Sequence, residues 1–378
     1  MNGINDHSEN GVKVLQVCHG PLLPDYISAY SLRCHSLISG VSKKLISVGG
    51  AFFTDRKTNE VEQYRSILLT GLAFLKGNRS FELMIAKGEH LRRKYLTRLR
   101  YLVSISDVII FEGPWQFPLV KDLLVDKMVV YDAHNVEYLL REGNVYQDQV
   151  KSIESELISS SDLIMTFAKK DMENFINIYG VKEDRIFYAP HVIKKSGAEW
   201  KGFNSRNLVF IGSRFGPNDE AVNRIYEIAK DLPDFNFEII GSARNTNKMK
   251  LKNVIHHGIV SEEEKDRIMQ GCFLSLNPVT DGSGRNLKIF DYLSHGLPIL
   301  STPVGIRGFE SPNLLDAVVV KNIEEFGQTI PLLYNNRNRL LEMSGQALKL
   351  YELLSNEVCE KSAEQRILET FRNKRTHN

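Results

Sequence analysis

The chain has few cysteines and no long apolar run. Four cysteines occur in 378 residues, at positions 18, 34, 272 and 359, and none of them belongs to a CxxC pair. Such wide spacing argues against a zinc site and a disulfide framework, so we expect reduced thiols. The longest apolar stretch, residues 67–75, is too short to span a bilayer, and residues 1–11 lack the apolar core of a signal peptide. These absences predict a cytoplasmic protein.

An excess of charge of either sign is also missing. Lysine and arginine together number 48 and aspartate and glutamate 46, which leaves a formal net charge of +2. This balance gives no reason to expect a nucleic acid partner. The chain has no GxGxxG or GxxxxGK[ST] motif, which argues against dehydrogenases and P-loop enzymes. It also has no DxD motif, so a metal clamp on a diphosphate has no obvious ligands.

Short apolar strands alternate with helical patterns in two series. Strands this apolar are typical of parallel sheets that helices cover on both faces. The chain length favours two domains, and we predict an α/β fold with two doubly wound Rossmann-like domains facing across a cleft. The predicted parts are an N-terminal domain (12–190), a linker (191–206), a C-terminal domain (207–350) and a helix (about 355–375) that packs back on the first domain. The predicted strands are 12–18, 44–49, 107–112, 128–133, 162–167 and 185–190, then 207–213, 237–242, 254–260, 272–279, 297–302 and 317–320.

The stretch from Asp281 to Gly305 combines a glycine loop, a short helix and a strand. In open α/β sheets ligands bind beyond the carboxyl ends of the strands, where such a loop lies. The glycines let the backbone approach a ligand, and the helix that follows offers free N–H groups to an anion. Lys288 can neutralise a phosphate, and Asp291 can accept two hydrogen bonds from ribose hydroxyls. The pattern predicts a nucleoside diphosphate site; the alternative is a plain turn followed by a solvated Lys–Asp pair.

A second loop strengthens the nucleotide interpretation. Gly212 lies at the end of the predicted strand 207–213, and Arg214 lies in the loop that follows. Pro217 lies in the first turn of the next helix. Arg214 is therefore expected to meet the same diphosphate from a neighbouring strand end. The alternative is an arginine that is merely exposed.

Three stretches together resemble a known family: "LVFIGSRFGPNDEAVNRI", "NVIHHGIVSEEE" and "NPVTDGSGRNLKIFDYLSHGLPILSTPVGIRGF". They are similar to the nucleotide-binding half of GT-B-fold retaining glycosyltransferases of the group 1 (family 4) type, over 207–309. The N-terminal half matches more loosely, through "DAHNVE" and residues 154–190. The resemblance implies transfer of a sugar from a nucleoside-diphosphate donor to an acceptor hydroxyl with retention, in glycan or polysaccharide biosynthesis. It implies a glycan or lipid-linked acceptor, no cofactor and no metal.

The resemblance also implies roles for particular residues. A histidine at the position of His134 lies near the donor sugar in this family, and the first residue of the family's acidic pair falls near Ser283, where no carboxylate stands. The expected catalytic residues are His134, Arg214 and Lys288. The expected donor-binding residues are Gly212, Gly282, Ser283, Gly284, Arg285, Asn286 and Asp291. The expected acceptor or cleft residues are His19, Gly20, Glu112, Trp115 and His191.

Several alternatives stay open at this stage. Trp115 and its neighbours equally fit a packed aromatic turn, and Glu137 is expected either beside His134 or as a helix cap. A nucleotide-sugar 2-epimerase shares the GT-B fold, and a non-catalytic nucleotide-sugar binder would keep the site without the chemistry. Residues 85–105 predict a basic amphipathic helix, which either packs its apolar stripe in the core or contacts the inner face of a membrane.

Overall fold

The protein consists of two compact units. The computed structural model describes residues 11–20, 22, 29–38, 41–50, 54–67, 81–189, 200–214, 216–281, 286–307, 309, 314–359 and 363–376. The first unit comprises residues 1–190 together with 361–378, and the second unit comprises residues 191–360. In the described part of the predicted linker, the indole N–H of Trp200 donates to the carbonyl of Cys272 at 2.8 Å, so this stretch packs on the second unit.

An eight-stranded sheet forms the centre of the first unit, in the order β3-β4-β2-β1-β5-β6-β7-β8. All neighbouring strands are parallel except β3 and β4. The six strands predicted for this half are present, and β3 and β4 are additional. The strands are β1 Lys13–Cys18, β2 Ser42–Gly49, β3 Arg56–Lys57, β4 Val61–Arg65, β5 Val108–Phe111, β6 Met128–Ala133, β7 Leu163–Thr166 and β8 Ile186–Tyr188.

Helices cover both faces of this sheet. On one face the core includes Tyr95, Leu99, Trp115 and Phe175. On the other face Ile367 and Phe371 of the last helix pack among the strand side chains. The helices are α1 Ala29–Ser36, α2 Phe81–Ala86, α3 Arg93–Ile105, α4 Gln147–Ser160, α5 Lys169–Tyr179 and, from the end of the chain, α12 Ala363–Thr376.

The second unit has a six-stranded parallel sheet in the order β11-β10-β9-β12-β13-β14. All six predicted strands are present, and the doubly wound arrangement is confirmed in both units. The strands are β9 Asn207–Ile211, β10 Asn236–Ile240, β11 Val254–Gly258, β12 Leu274–Asn277, β13 Ile299–Ser301 and β14 Val318–Val320. The helices are α6 Gly216–Asp231, α7 Glu262–Gln270, α8 Lys288–Ser294, α9 Leu314–Ala317, α10 Phe326–Tyr334 and α11 Arg337–Cys359.

The helix predicted over 85–105 is wrong at its start. Helix α2 ends at Ala86, and a turn with positive φ at Gly88 and His90 separates it from α3. The apolar side of α3 is buried in the core, while Arg92, Arg98 and Arg100 form ion pairs with Asp55, Glu62 and Asp122. Among the described residues, no helix has both the length and the apolar composition to cross a membrane.

Strands β9 and β12 diverge at their carboxyl ends, and Tyr292 bridges the gap. In the ladder between them, Leu208 pairs with Leu274 and Val209 pairs with Ser275, and the pairing ends there. Beyond it, the N–H of Ile211 donates to the Tyr292 hydroxyl at 3.0 Å, and that hydroxyl donates to the carbonyl of Leu276 at 3.2 Å. The buried ring of Tyr292 thus ties α8 to both strand ends.

We expect Tyr292→Phe to destabilise the second unit by about 1–3 kcal/mol, because the two backbone groups lose their shared partner. The chain has two tryptophans, one in each unit, so Trp200 fluorescence in a Trp115→Phe background reports unfolding of the second unit by denaturant. The matched control is Tyr226→Phe, whose hydroxyl lies 3.2 Å from Nε2 of the exposed His256. Water can replace that bond, so its cost should stay below about 0.5 kcal/mol. Equal costs for the two variants would contradict the bridging role.

Candidate functional site

Several of the predicted site residues lie at the switch point of each sheet, where neighbouring strands lead to opposite faces. In the second unit the switch point lies between β9 and β12, and in the first unit between β1 and β5. Gly212 and Arg214 follow β9, and Lys288 begins the helix after β12. His19 follows β1 and Glu112 follows β5. Topology alone therefore brings the candidate residues of each unit to one sheet edge.

The loop after β9 is held by the loop after β10. The N–H of Gly212 donates to the carbonyl of Ile240 at 2.9 Å, and its carbonyl accepts from the N–H of Ala243 at 3.0 Å. The N–H of Arg214 donates to the Ser242 hydroxyl at 2.8 Å. The Arg214 side chain is exposed and has no partner among the residues that the structure describes. A fixed backbone thus carries a free guanidinium.

Lys288 lies on the other side of the same switch point. Its Nζ donates to Oδ1 of Asn218 at 2.9 Å and lies 4.7 Å from the centre of the Phe210 ring. Nδ2 of Asn218 in turn donates to the carbonyl of Ser213 at 2.9 Å. Asn218 therefore links Lys288 to the loop that carries Arg214. Burial lowers the pKa of Lys288 to about 7. Keeping the Lys288 ammonium charged in this site therefore costs free energy of desolvation.

Asp291 lies one turn after Lys288 but does not pair with it. Oδ1 of Asp291 accepts from Nζ of Lys265 at 2.9 Å, and that Nζ also lies 2.8 Å from a carboxylate oxygen of Glu262. Burial raises the pKa of the Asp291 carboxyl, and the Lys265 ammonium opposes that shift. Oδ2 of Asp291 has no partner among the described residues. The alternative of a solvated Lys288–Asp291 pair is therefore wrong, because each side chain has a different partner.

Asn286 joins α8 to the end of β12. Its Nδ2 donates to Oδ1 of Asn277 at 3.4 Å, and Nδ2 of the buried Asn277 donates to the carbonyl of Gly305 at 2.8 Å. Five other predicted residues lie outside the described residues: Gly282, Ser283, Gly284, Arg285 and His191. We use the name nucleotide face for the described part of this site, which comprises Gly212, Arg214, Asn218, Lys288 and Asp291.

In the first unit, His134 directly follows β6, as predicted. Its Nε2 lies 2.9 Å from Oε2 of Glu112, and Oε1 of Glu112 accepts from Nε2 of Gln16 at 2.7 Å. The imidazole lies between the rings of Tyr30 and Phe167, at centroid distances of 4.6 and 4.7 Å. Glu112 is fully buried and contacts protein side chains through both oxygens, and its acceptor or cleft role stays a prediction.

A second buried acid near His134, Asp132, forms an ion pair with Arg33. Nε and Nη2 of Arg33 donate to Oδ2 and Oδ1 of Asp132, both at 2.9 Å, and both side chains are buried. We use the name histidine cluster for Gln16, Arg33, Glu112, Asp132 and His134. Glu112, Asp132 and His134 are close enough to ligate a metal together. Each oxygen of the two carboxylates accepts a protein hydrogen bond, from Gln16 and His134 on Glu112 and from Arg33 on Asp132.

The remaining predicted residues of the first unit pack around this cluster. The hydroxyl of Tyr30 accepts from the N–H of His19 at 3.0 Å, and burial lowers the pKa of His19 to about 3. A Cβ atom at Gly20 would lie 2.6 Å from the ring of Tyr30, so only glycine fits there. Trp115 is fully buried beneath the guanidinium of Arg141, at 4.6 Å, which matches the packed aromatic turn left open by the sequence.

Glu137 is neither a neighbour of His134 nor a helix cap. Its carboxylate pairs with Arg141, and its N–H donates to Oε1 of Glu154 at 2.9 Å. Oε2 of Glu154 accepts from the N–H of Tyr138 at 3.1 Å. Glu154 therefore anchors the segment after His134 to α4.

Comparison with known proteins relates the second unit to a family. Residues 205–336 match the model of the family Glycosyl transferases group 1. An uncharacterised 44.6 kDa protein in the cps region of Klebsiella pneumoniae is 24% identical over 262 residues, which cover 62% of this chain and 67% of that protein.

Solved structures show the same fold over the whole chain. HepE from Anabaena, in complex with UDP, superposes with a TM-score of 0.67 at 12% identity, covering 96% of this chain and all of that one. Sucrose-phosphate synthase from Thermosynechococcus elongatus gives a TM-score of 0.65 at 7% identity, covering 97% of this chain and all of that one. TarM gives 0.56 at 16% identity, covering 74% of this chain; the match spans 57% of TarM.

The GT-B fold class predicted from the sequence is thereby confirmed. Residues 205–336, which match the model of Glycosyl transferases group 1, contain the nucleotide face and lie in a chain that has the GT-B fold.

Proposed function

We propose that the protein transfers a sugar from a nucleoside-diphosphate donor to an acceptor hydroxyl, with retention at the anomeric carbon and without a metal. The observation that carries this proposal is the nucleotide face, where a free guanidinium, a partly desolvated ammonium and a carboxylate lie at one switch point. The match of residues 205–336 to group 1 glycosyltransferases supports it. The cps-region relative supports a role in polysaccharide biosynthesis.

In the proposed reaction the bond between the anomeric carbon and the phosphate oxygen breaks, and its electron pair stays on the diphosphate. The acceptor oxygen bonds to the anomeric carbon, and its proton passes to the leaving phosphate. Arg214 and Lys288 stabilise the negative charge that develops on the diphosphate. Their charge replaces that of a metal ion. Interactions that strengthen as the bond breaks raise turnover more than they raise affinity.

Asp291 is proposed to bind the ribose and His134 the transferred sugar. Oδ2 of Asp291 has no partner among the described residues and is available to a ribose hydroxyl, while Lys265 fixes Oδ1.

The acceptor is proposed to be a glycan or a lipid-linked sugar. On α3, Arg93 and Lys94 have exposed side chains, and these are the residues proposed to contact an anionic membrane surface in the cytoplasm.

A turnover panel tests the function. The protein is incubated with UDP-sugars and other nucleoside-diphosphate sugars, with glycan acceptors or water, in the presence of a chelator. We expect release of the nucleoside diphosphate and a product whose anomeric configuration, determined by NMR, is that of the donor. An epimerised nucleotide sugar would favour the epimerase. Binding without turnover would favour the non-catalytic binder, and inhibition by the chelator would contradict metal independence.

The ribose assignment predicts that Asp291→Asn weakens UDP binding by at least about tenfold, because a charge-assisted hydrogen bond contributes about 1.5–3 kcal/mol. The matched control is Glu262→Gln, which removes the other carboxylate from Lys265 but leaves Asp291 in place. UDP affinity of the control should stay within about twofold of the parent protein. Calorimetry measures both dissociation constants, and equal losses would show that Asp291 acts only through Lys265.

The lowered pKa of Lys288 predicts a pH dependence of nucleotide binding. Lys288 is charged below about pH 7 and loses its proton above it, whereas a bound diphosphate favours the charged form. UDP affinity should therefore fall by up to about tenfold per pH unit from about pH 7 to about pH 9. The diphosphate itself has finished ionising by then, since phosphate esters have a second pKa near about 6. Lys288→Met should bind UDP weakly with a flat profile; an equally steep fall in this variant would refute the assignment to Lys288.

A further inference from the structure

The histidine cluster contains a buried carboxylate that the donor site does not use. Glu112 is fully buried at the carboxyl end of β5. Its Oε1 accepts from Nε2 of Gln16 at 2.7 Å, and its Oε2 lies 2.9 Å from Nε2 of His134. An ionised carboxylate only accepts hydrogen bonds. When Glu112 is ionised, both of its oxygens require a hydrogen on the facing nitrogen, which on His134 is Nε2.

Asp132 does not compete with Glu112 for this histidine. Asp132 and His134 lie two residues apart, so Asp132 is the partner that the sequence spacing suggests. In the structure, both oxygens of Asp132 accept from Arg33 instead, at 2.9 Å each. The guanidinium of Arg33 also lies 4.6 Å from the centre of the Phe167 ring. Arg33 thus occupies both oxygens of Asp132, and Glu112 remains as the partner of His134.

The imidazole has little freedom to adopt another arrangement. The rings of Tyr30 and Phe167 contact it at centroid distances of 4.6 and 4.7 Å. Only 12% of the His134 side chain is exposed. Its second nitrogen, Nδ1, has no hydrogen-bond partner within the described part of the chain. In a neutral ring with hydrogen on Nε2, this Nδ1 is an acceptor.

We propose that Glu112 is a positioning residue that fixes His134 in the Nε2–H tautomer, so that the unprotonated Nδ1 accepts a hydrogen bond from a hydroxyl of the transferred sugar. The use of Nδ1 rests on the proposed glycosyl transfer, whereas the tautomer itself does not. Without Glu112 the ring would populate both tautomers, and the fraction with hydrogen on Nδ1 would present a donor where an acceptor is needed.

The test begins with Glu112→Leu, which fills a similar volume and removes both acceptor oxygens. Glu112→Gln is less informative, because Gln16 can turn its Oε1, which has no partner among the described residues, toward the new amide and leave the amide oxygen facing His134. Nitrogen-15 NMR of histidine-labelled protein reports the tautomer, and loss of a signal in His134→Gln assigns the resonance. We expect the Nε2–H tautomer in the parent protein and a mixture in Glu112→Leu. Turnover should fall in proportion to the lost Nε2–H fraction, by roughly two- to tenfold when both tautomers are visible, with UDP affinity unchanged.

A swapped pair separates orientation from a general loss of structure. In Gln16→Glu/Glu112→Gln, the amide of residue 112 accepts from His134 through its oxygen and donates to residue 16 through its nitrogen. We expect this double variant to recover the Nε2–H signal and most of the turnover that Glu112→Leu loses. Gln16→Glu alone places a second carboxylate beside Glu112, so its turnover should stay below that of the double variant. Thermal unfolding of all variants shows which of them are folded.

Two results would overturn the proposal. One is a parent protein whose His134 carries its hydrogen on Nδ1. The spectrum of the parent protein gives this result, so it does not depend on whether the Glu112 variants fold. The other is a folded Glu112→Leu that keeps both the tautomer and the turnover of the parent. If no nucleotide sugar is turned over by the parent protein, the proposed function fails, while the tautomer spectra still decide whether Glu112 orients His134.

Discussion

Strands that diverge at a switch point leave backbone groups without a partner, and these groups must be satisfied within the protein. In the second unit the hydroxyl of Tyr292 bridges the ends of β9 and β12. In the first unit Nε2 of Gln116 donates to the carbonyl of Cys18 at 2.7 Å, just beyond the last residue that β1 pairs with β5. Each bridging side chain belongs to the segment that carries functional residues. The bond that completes the sheet therefore also positions α8 in one unit and the segment after Glu112 in the other.

The two switch points differ in their electrostatics. In the second unit the Arg214 side chain has no partner among the described residues, and burial lowers the pKa of Lys288 to about 7. A bound diphosphate would relieve the cost of that ammonium charge, so charge and binding are coupled. In the first unit the buried acids already have partners, Arg33 for Asp132 and His134 for Glu112. The second unit is thus suited to take up an anion, and the first to hold a fixed hydrogen-bond geometry.

The sequence predicts the framework because its signals are local. Apolar runs identify twelve of the fourteen strands in the described part of the chain, and Lys288 and Asp291 follow β12 on one helix, as the sequence pattern predicts. Strand β4, Val61–Arg65, has the polar residues Glu62 and Gln63 between its apolar ones and was therefore missed. The ionic partners were also missed, because the pair of Lys265 with Asp291 spans 26 residues and that of Arg33 with Asp132 spans 99. Such pairs depend on which strands become neighbours, and no local pattern encodes that.

The choice of partner for His134 shows how topology changes the chemistry that a motif suggests. In "DAHNVE" the nearest acid is Asp132, yet α1 brings Arg33 onto Asp132, and β5 brings Glu112 to His134. An aspartate already neutralised by a guanidinium exerts little charge on the imidazole, whereas Glu112 orients it through a direct bond. Sugar hydroxyls are neutral and are recognised by the direction of hydrogen bonds rather than by charge. A histidine of fixed tautomer is therefore suited to a sugar, as the cations of the nucleotide face are suited to a diphosphate.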